Sequence, residues 1–424
     1  MSWEKVKVSA FADVVGGGTP STKEPAYWNG EVPWITPKDL SNYQFRYIDK
    51  GERNISKLGL EKSAAKLLPA NTVLLTTRAP IGYVAIAAVP LCTNQGFKNL
   101  ICDPKKALPE FVYYLLKNYR EVLISYATGA TFPELSAEKL KNIELPLPPL
   151  KIQEKIASIL SCYDDLIENN IRRIKILEEM VQNLYQEWFI KFRFPGHEKV
   201  KMVKSELGMI PEGWEVKKVS DIAEIFRGKS YKSSDIANDN EGLPFLNLKC
   251  IERDGGFRYD GIKWFKGKYQ DTHTAVAGDI VMAVTDMTQE RLIVARAARV
   301  PKTSYEKYIF SMDLVKIVPA KDVRREYLYS VFRFSSFPDI VKQLANGANV
   351  LHLNPEHIAN FKMLYAPIEI QNKYSDICRD IFNECDILAM KNDNLSRTRD
   401  LLLPKLISGD LNVENLDTDV GGIS

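Results

Sequence analysis

The sequence predicts a mixed α+β chain: two similar α/β domains separated by two long antiparallel coiled-coil helices, with an approximate twofold relation. Three observations carry the expectation. The chain repeats itself, strand-like runs recur at matching places in each copy, and two long stretches carry coiled-coil spacing. At 424 residues the chain is also too long for a single core.

The repeat is read directly. Trp3, Glu4, Lys7, Val8, Ser9, Ala12 and Gly17 recur as Trp214, Glu215, Lys218, Val219, Ser220, Ala223 and Gly228. At the same offset Trp34 and Lys38 meet Phe245 and Lys249. A second block is stronger: Gly129, Ala130, Leu135, Glu138, Asn142, Pro149, Ile152, Gln153 and Lys155 all have identical counterparts within 347–373. The middle of each copy diverges, as two readers of different targets would. This places one domain at 1–150 and a second at 213–368, joined by a linker over 195–212.

Within the first copy, apolar runs at 32–36, 73–77 and 83–89 are split by Gly and Pro and read as strands. A helix is expected over about 110–126 and again over 325–344. Pro146, Pro148 and Pro149, and Pro367 in the second copy, then stop the chain before each long helix.

The first long helix is assigned to 151–194. Its apolar residues Ile156, Leu160, Tyr163, Ile167, Ile174, Leu177, Val181, Leu184 and Trp188 advance in alternating steps of three and four, interrupted by Asn170. The second, 369–411, repeats the seam with Tyr374, Cys378, Ile381, Cys385, Leu388, Leu395, Leu402 and Leu406, interrupted by Asn392 and Arg399. Pro404 is expected to perturb or terminate the last turn, and 412–424 is read as a flexible tail. Facing Asn170 with Asn392 in antiparallel order also faces Ile156 with Leu406, Leu160 with Leu402 and Leu184 with Cys378. The seam closes, with a buried amide pair fixing its register. Seven charges of each sign lie between 151 and 193, so the outer face is solvated.

Net charge is only +3, so any basic surface for nucleic acid has to be local. Six scattered cysteines without a CxxC pair suit buried thiols rather than disulfides or zinc. His352 and His357 stand five apart and are read as structural. No apolar run approaches the roughly 18–20 residues of a membrane-spanning helix, and a cytoplasmic location is expected.

Catalytic readings find few residues. Asn354-Pro355-Glu356-His357 lacks the second Pro and the aromatic of an adenine-methyltransferase tetrad. Gly228-Lys229-Ser230 imitates the end of a phosphate-binding loop, but Ala223 stands where its first Gly belongs. Pro338-Asp339 is not followed by the Glu-x-Lys of a metal-dependent nuclease. No catalytic or metal-binding residue is assigned.

Gly16-Gly17-Gly18-Thr19-Pro20-Ser21, Val32-Pro33-Trp34-Ile35-Thr36-Pro37-Lys38-Asp39-Leu40 and Gly208-Met209-Ile210-Pro211-Glu212-Gly213-Trp214 carry a resemblance. So do the Pro-Leu-Pro-Pro-Leu-x-x-Gln-x-x-Ile run from Pro146 and Leu184-Tyr185-Gln186-Glu187-Trp188-Phe189. Over essentially its whole length the chain resembles the specificity (S, HsdS-type) subunit of type I restriction–modification enzymes. The resemblance implies two target-recognition domains, each reading one part of a bipartite, asymmetric site on double-stranded DNA. It also implies spacer helices that dock two methyltransferase (M) subunits, joined by restriction/translocase (R) subunits. S-adenosylmethionine, ATP and Mg2+ are then expected in the partners and no cofactor in this chain.

Base readers need side chains that reach groove edges while other contacts hold phosphates. The candidates are Lys38, Arg78, Gln95, Lys98 and Thr131 in the first domain. In the second they are Arg227, Lys229, Asn247, Lys249 and Arg291. Trp34 and Phe245 are read as core, and Gly16–Gly18 as a flexible turn or a phosphate cradle. Tyr185, Trp188 and Phe189 are expected to form an apolar partner-facing surface at a helix end. The rival functions are a methylation-only or other phage-defence complex, and a coiled-coil protein-interaction scaffold.

Overall fold

The computed structural model describes residues 3–129, 133–237 and 241–416. Its contacts form two units, Met1–Asn170 with Lys391–Ser424, and Ile171–Met390. The boundary falls within the long helices because each part of a helix packs on the globular domain beside it.

In the first unit a five-stranded sheet runs Ala12–Gly16, Phe97–Cys102, Val73–Thr77, Ile81–Ala87, Tyr47–Ile48. All its pairings are antiparallel except the last. A three-stranded sheet places Trp28–Ile35 between Arg53–Ile55 and the parallel strand Cys92–Thr93. Val73–Thr77 is buried along its length, which is why its residues Val73, Leu74 and Leu75 do not alternate with exposed polar ones. The helix Pro109–Asn118 opens on Pro at its first position and buries Phe111 through Leu116 against the sheet. The helix expected over 110–126 is in fact two, Pro109–Asn118 and Arg120–Ser125, parted at Tyr119 (φ −98, ψ 18).

The second unit repeats this plan. Ala223–Arg227, Leu314–Pro319, Ile280–Ala283 and Ala297–Arg299 form one sheet. Leu243–Leu246 pairs in parallel with Tyr308–Phe310 in another. The helix Arg325–Phe334 ends at Ser335 and a new one, Phe337–Val341, begins. Pro338 lies inside the helix expected there, and its ring and missing N–H exclude a helical bond to the preceding turn.

A pair of fully buried glutamines shows how deep the repeat goes. Gln153 Nε2 donates to the carbonyls of Lys106 and Pro148, both at 2.8 Å, and its Oε1 accepts the Leu108 N–H at 2.9 Å. Gln371 donates to Ala366 at 2.8 Å and accepts from Arg324 at 3.1 Å. Each therefore ties the entry of a long helix to the start of a short one.

The long helices span Leu150–Tyr185 and Ile368–Ser408. In the first unit Asn170 Nδ2 donates to Asn392 Oδ1 at 2.8 Å, Arg399 pairs with Asp164, and Lys155 reaches the carbonyl of Glu414 at 2.7 Å. Partner numbers rise as first-helix numbers fall, so the segments are antiparallel. Ile156, Leu160 and Leu406 are fully buried in one cluster. In the second unit Arg173 pairs with Glu384 at 2.9 Å and Tyr185 lies near Tyr374, again antiparallel. Leu184 and Cys378 belong to one core there.

Pro404 stands in the last turn of its helix, which continues to Ser408. Pro404 is exposed, while Leu403, Leu406 and Ile407 anchor the turn around it, and Gly409 at φ 82 closes it. Tyr185, Trp188 and Phe189 are 3%, 7% and 3% exposed and are not a partner surface. Their rings pack with Tyr374, Tyr327 and Trp214 in the core of the second unit. A helix end rich in aromatics reads alike in sequence whether another chain or its own domain covers it.

Candidate nucleic-acid interface

In each unit a set of loops gathers at one edge of the sheets, and backbone hydrogen bonds knit the two sets in the same pattern. In the first unit the Gly18 N–H donates to Thr93 O at 2.9 Å, Asn94 to Ile35 at 2.9 Å, Thr77 to Gly96 at 2.8 Å and Leu135 to Thr77 at 3.0 Å. In the second, Lys229 donates to Phe310 at 2.8 Å, Ser311 to Leu246 at 2.8 Å, Val284 to Asp313 at 2.9 Å and Leu353 to Val284 at 2.8 Å. Thr128 and Glu134 exchange two backbone bonds, as do Asn346 and His352.

The glycines belong to this frame. A Cβ on Gly17 would lie 2.0 Å from Asn94 O, and one on Gly228 would lie 2.0 Å from Ser311 O. Gly228 is therefore a close strand approach and not part of a phosphate loop. Gly17 and Gly18 are likewise close approaches, a Cβ on Gly18 lying 2.3 Å from the Ala64 backbone, whereas Gly16 has open space around it. Trp34 and Phe245 are core residues, 4% and 0% exposed, and Trp34 Nε1 donates to Gly18 O at 2.9 Å.

Most of the sequence candidates lie on these loops or the strands entering them. Lys38 is exposed and pairs with Glu52 at 2.6 Å. Gln95 is exposed and bonds Thr19. Arg78 and Lys98 converge on the carboxylate of Glu134, at 3.8 and 3.4 Å. Thr131 lies outside the described residues. Arg227 ends its strand exposed and Lys249 is exposed, whereas Lys229 is half-buried. Asn247 is a correction. It is 6% exposed, and its side-chain amide donates to Gly261 O at 2.7 Å and accepts the Lys249 N–H at 2.9 Å, so both its polar atoms serve the fold.

Arg291 stands in a loop braced from two sides. It adopts φ 53 and reaches Ala345 O at 3.4 Å, while Gln289 Nε2 donates to Ala348 O at 3.0 Å. The loop is held by Asp286, 1% exposed, which accepts the N–H groups of Thr288, Ile293 and Val294 and the Thr288 hydroxyl. Burial alone would raise this carboxyl; the hydrogen bonds from Ile293, Thr288 and Val294 outweigh it and hold it below the ordinary carboxylate range. Sequence reasoning missed Asp286, Glu134 and His352. Only the matching position of Glu134 and His352 in the repeat could have drawn attention to them.

Among the described residues no group of His, Cys, Asp and Glu could hold a metal ion, and no helix is long and apolar enough to cross a membrane. All six cysteines are free. Burial pushes the Cys92 thiol up to about 11 and that of Cys378 up to about 12, which leaves both poor nucleophiles. Cys102 and Cys162 are only partly buried.

One loop frame built twice, with different side chains mounted on it, defines a duplicated recognition protein. Comparison with known proteins specifies the kind. The model of the type I restriction modification DNA specificity domain matches residues 1–179 and again 211–397. The MjaIX specificity subunit of Methanocaldococcus jannaschii is 36% identical, with 98% of this chain and 94% of that protein covered. The MjaVIII specificity subunit of the same organism is 24% identical over 98% of this chain and 94% of that protein. Among solved structures, the S subunit from M. genitalium shares the fold at TM-score 0.55 and 18% identity, covering 95% of this chain and 96% of that one. The chain belongs to the DNA specificity subunits of type I restriction–modification systems.

Proposed function

We propose that each domain reads one part of a bipartite, asymmetric site on double-stranded DNA, and that the chain performs no chemistry itself. The observation that carries this is the duplicated loop frame with divergent exposed side chains. Methylation and cleavage then fall to M and R subunits, with S-adenosylmethionine, ATP and Mg2+ bound by them. Methyladenine mapped across the genome with and without this gene tests the reading. Loss of a split, asymmetric methylated motif with the gene supports it, and an unchanged map refutes it.

We further propose that the long helices dock the methyltransferase subunits, through a surface different from the aromatic one. Leu166, Ile176, Met180, Ile377, Ile387 and Leu401 are exposed, and each lies one residue before a seam position. Arg173 and Glu384 hold the same relation to the seam and pair across it, so this flank is common to the two helices. Leu166 and Leu401 mark it in the first unit and the other four in the second. Ile176→Asp with Met180→Asp should abolish co-purification of the methyltransferase subunit; retained association would refute the assignment.

A further inference from the structure

The repeat lets the chain serve as its own comparison. Matching backbone bonds put Arg78 where the second unit has Thr285, Lys98 where it has Val315, Gln95 where it has Met312, and Glu134 where it has His352. Around these places the frame is kept: Gly17 matches Gly228 and Leu135 matches Leu353. The backbone is thus the same while the side chains share no chemistry. In the first unit three of them form a charge cluster with Glu134 at its centre. In the second, Thr285 and Val315 are buried and His352 and Met312 are exposed.

Resting on the DNA-reading function above, we propose that Glu134 is a specificity-determining residue of the first unit and that His352 is its counterpart in the second. An arginine and a lysine side by side would grip the phosphates of any duplex. Glu134 opposes that, because its carboxylate repels phosphate and draws both cations to itself. The Arg78 contact is loose, at 3.8 Å with Arg78 37% and Glu134 40% exposed, so it exchanges for other partners at small cost, while Lys98, 14% exposed, approaches Glu134 to 3.4 Å. The partner that satisfies the whole cluster is a base edge bearing an exocyclic amino group. Cytosine N4 or adenine N6 donates to Glu134, while Arg78 or Lys98 turns to a neighbouring acceptor. His352 offers a ring nitrogen and no fixed negative charge, so the second domain selects a different edge.

The test uses the full chain with its methyltransferase subunit and the site defined by methylation mapping. Binding to cognate duplex, to duplexes changed in either half, and to unrelated duplex is measured across a salt series. Glu134→Gln keeps the shape and removes the charge. It should raise affinity for unrelated DNA about tenfold and steepen the salt dependence by about two, roughly 0.9 for each freed cation. Base preference should relax in one half-site only, and His352→Gln should relax the other. Arg78→Ala should reverse part of the gain in unrelated binding. Specific binding by the wild type with Glu134→Gln unchanged in salt slope and preference would overturn the proposal. So would relaxation of both halves by one variant. No preference in the wild-type complex would overturn it together with the function on which it rests.

Discussion

Replacing Gln153 with Ala removes three hydrogen bonds from a side chain that is fully buried. At about 1 kcal/mol net for each bond the loss is about 3 kcal/mol. Gln371→Ala removes two bonds and should cost about 2 kcal/mol. Each glutamine serves only its own unit, so the effects should be local. Hydrogen exchange followed by mass spectrometry on the full chain reads this directly. The Leu108 amide, deprived of its acceptor, should exchange about a hundredfold faster in Gln153→Ala, with peptides around Arg324 unchanged. Gln371→Ala should do the converse. A change below about 1 kcal/mol in both variants, or equal loosening of both units by either one, would refute the argument that these amides hold the helix entries.

Replacing Asn170 and Asn392 together with Leu should raise the melting temperature, because a buried amide pair gives way to apolar packing, while Asn170→Ala alone should lower the unfolding free energy by about 1–2 kcal/mol; calorimetry decides. Gly17→Ala should destabilise the first unit and Gly228→Ala the second, by at least 1–3 kcal/mol, since each Cβ would stand 2.0 Å from a carbonyl oxygen; limited proteolysis shows which unit opens. Asp286 has a folded-state pKa below its unfolded value, so its stabilising contribution is present above about pH 3.9 and is lost as pH falls through the depressed value. Exchange in residues 286–294 should therefore rise, relative to intrinsic rates, as pH drops below about 4, and Asp286→Asn should remove that dependence.

The repeat and the helical seam were legible because burial imposes periodicity on sequence. Gly17, Gln153 and the Asn170–Asn392 contact all follow from matching one copy or one helix against the other. Side-chain direction was not legible. Trp188 and Phe189 are apolar residues at a helix end, and nothing local says which surface covers them. Asn247 looked like a base reader because its type can read adenine, but its neighbours Gly261 and Lys249 consume its amide. Pro404 marks the last turn of its helix in sequence, but that buried Leu403 and Leu406 hold this turn is visible only in the packing. Glu134 carries a charge opposite to the expected one for a DNA surface, and only its contacts with Arg78 and Lys98 reveal its place.

The central claim is that the two domains read independently. Exchanging residues 1–150 for those of a family relative with a different known site, and mapping methyladenine in the host, tests it most directly. One half of the methylated motif should become the relative's and the other half should persist unchanged. Alteration of both halves, or of neither in a chain that still supports methylation, would contradict it.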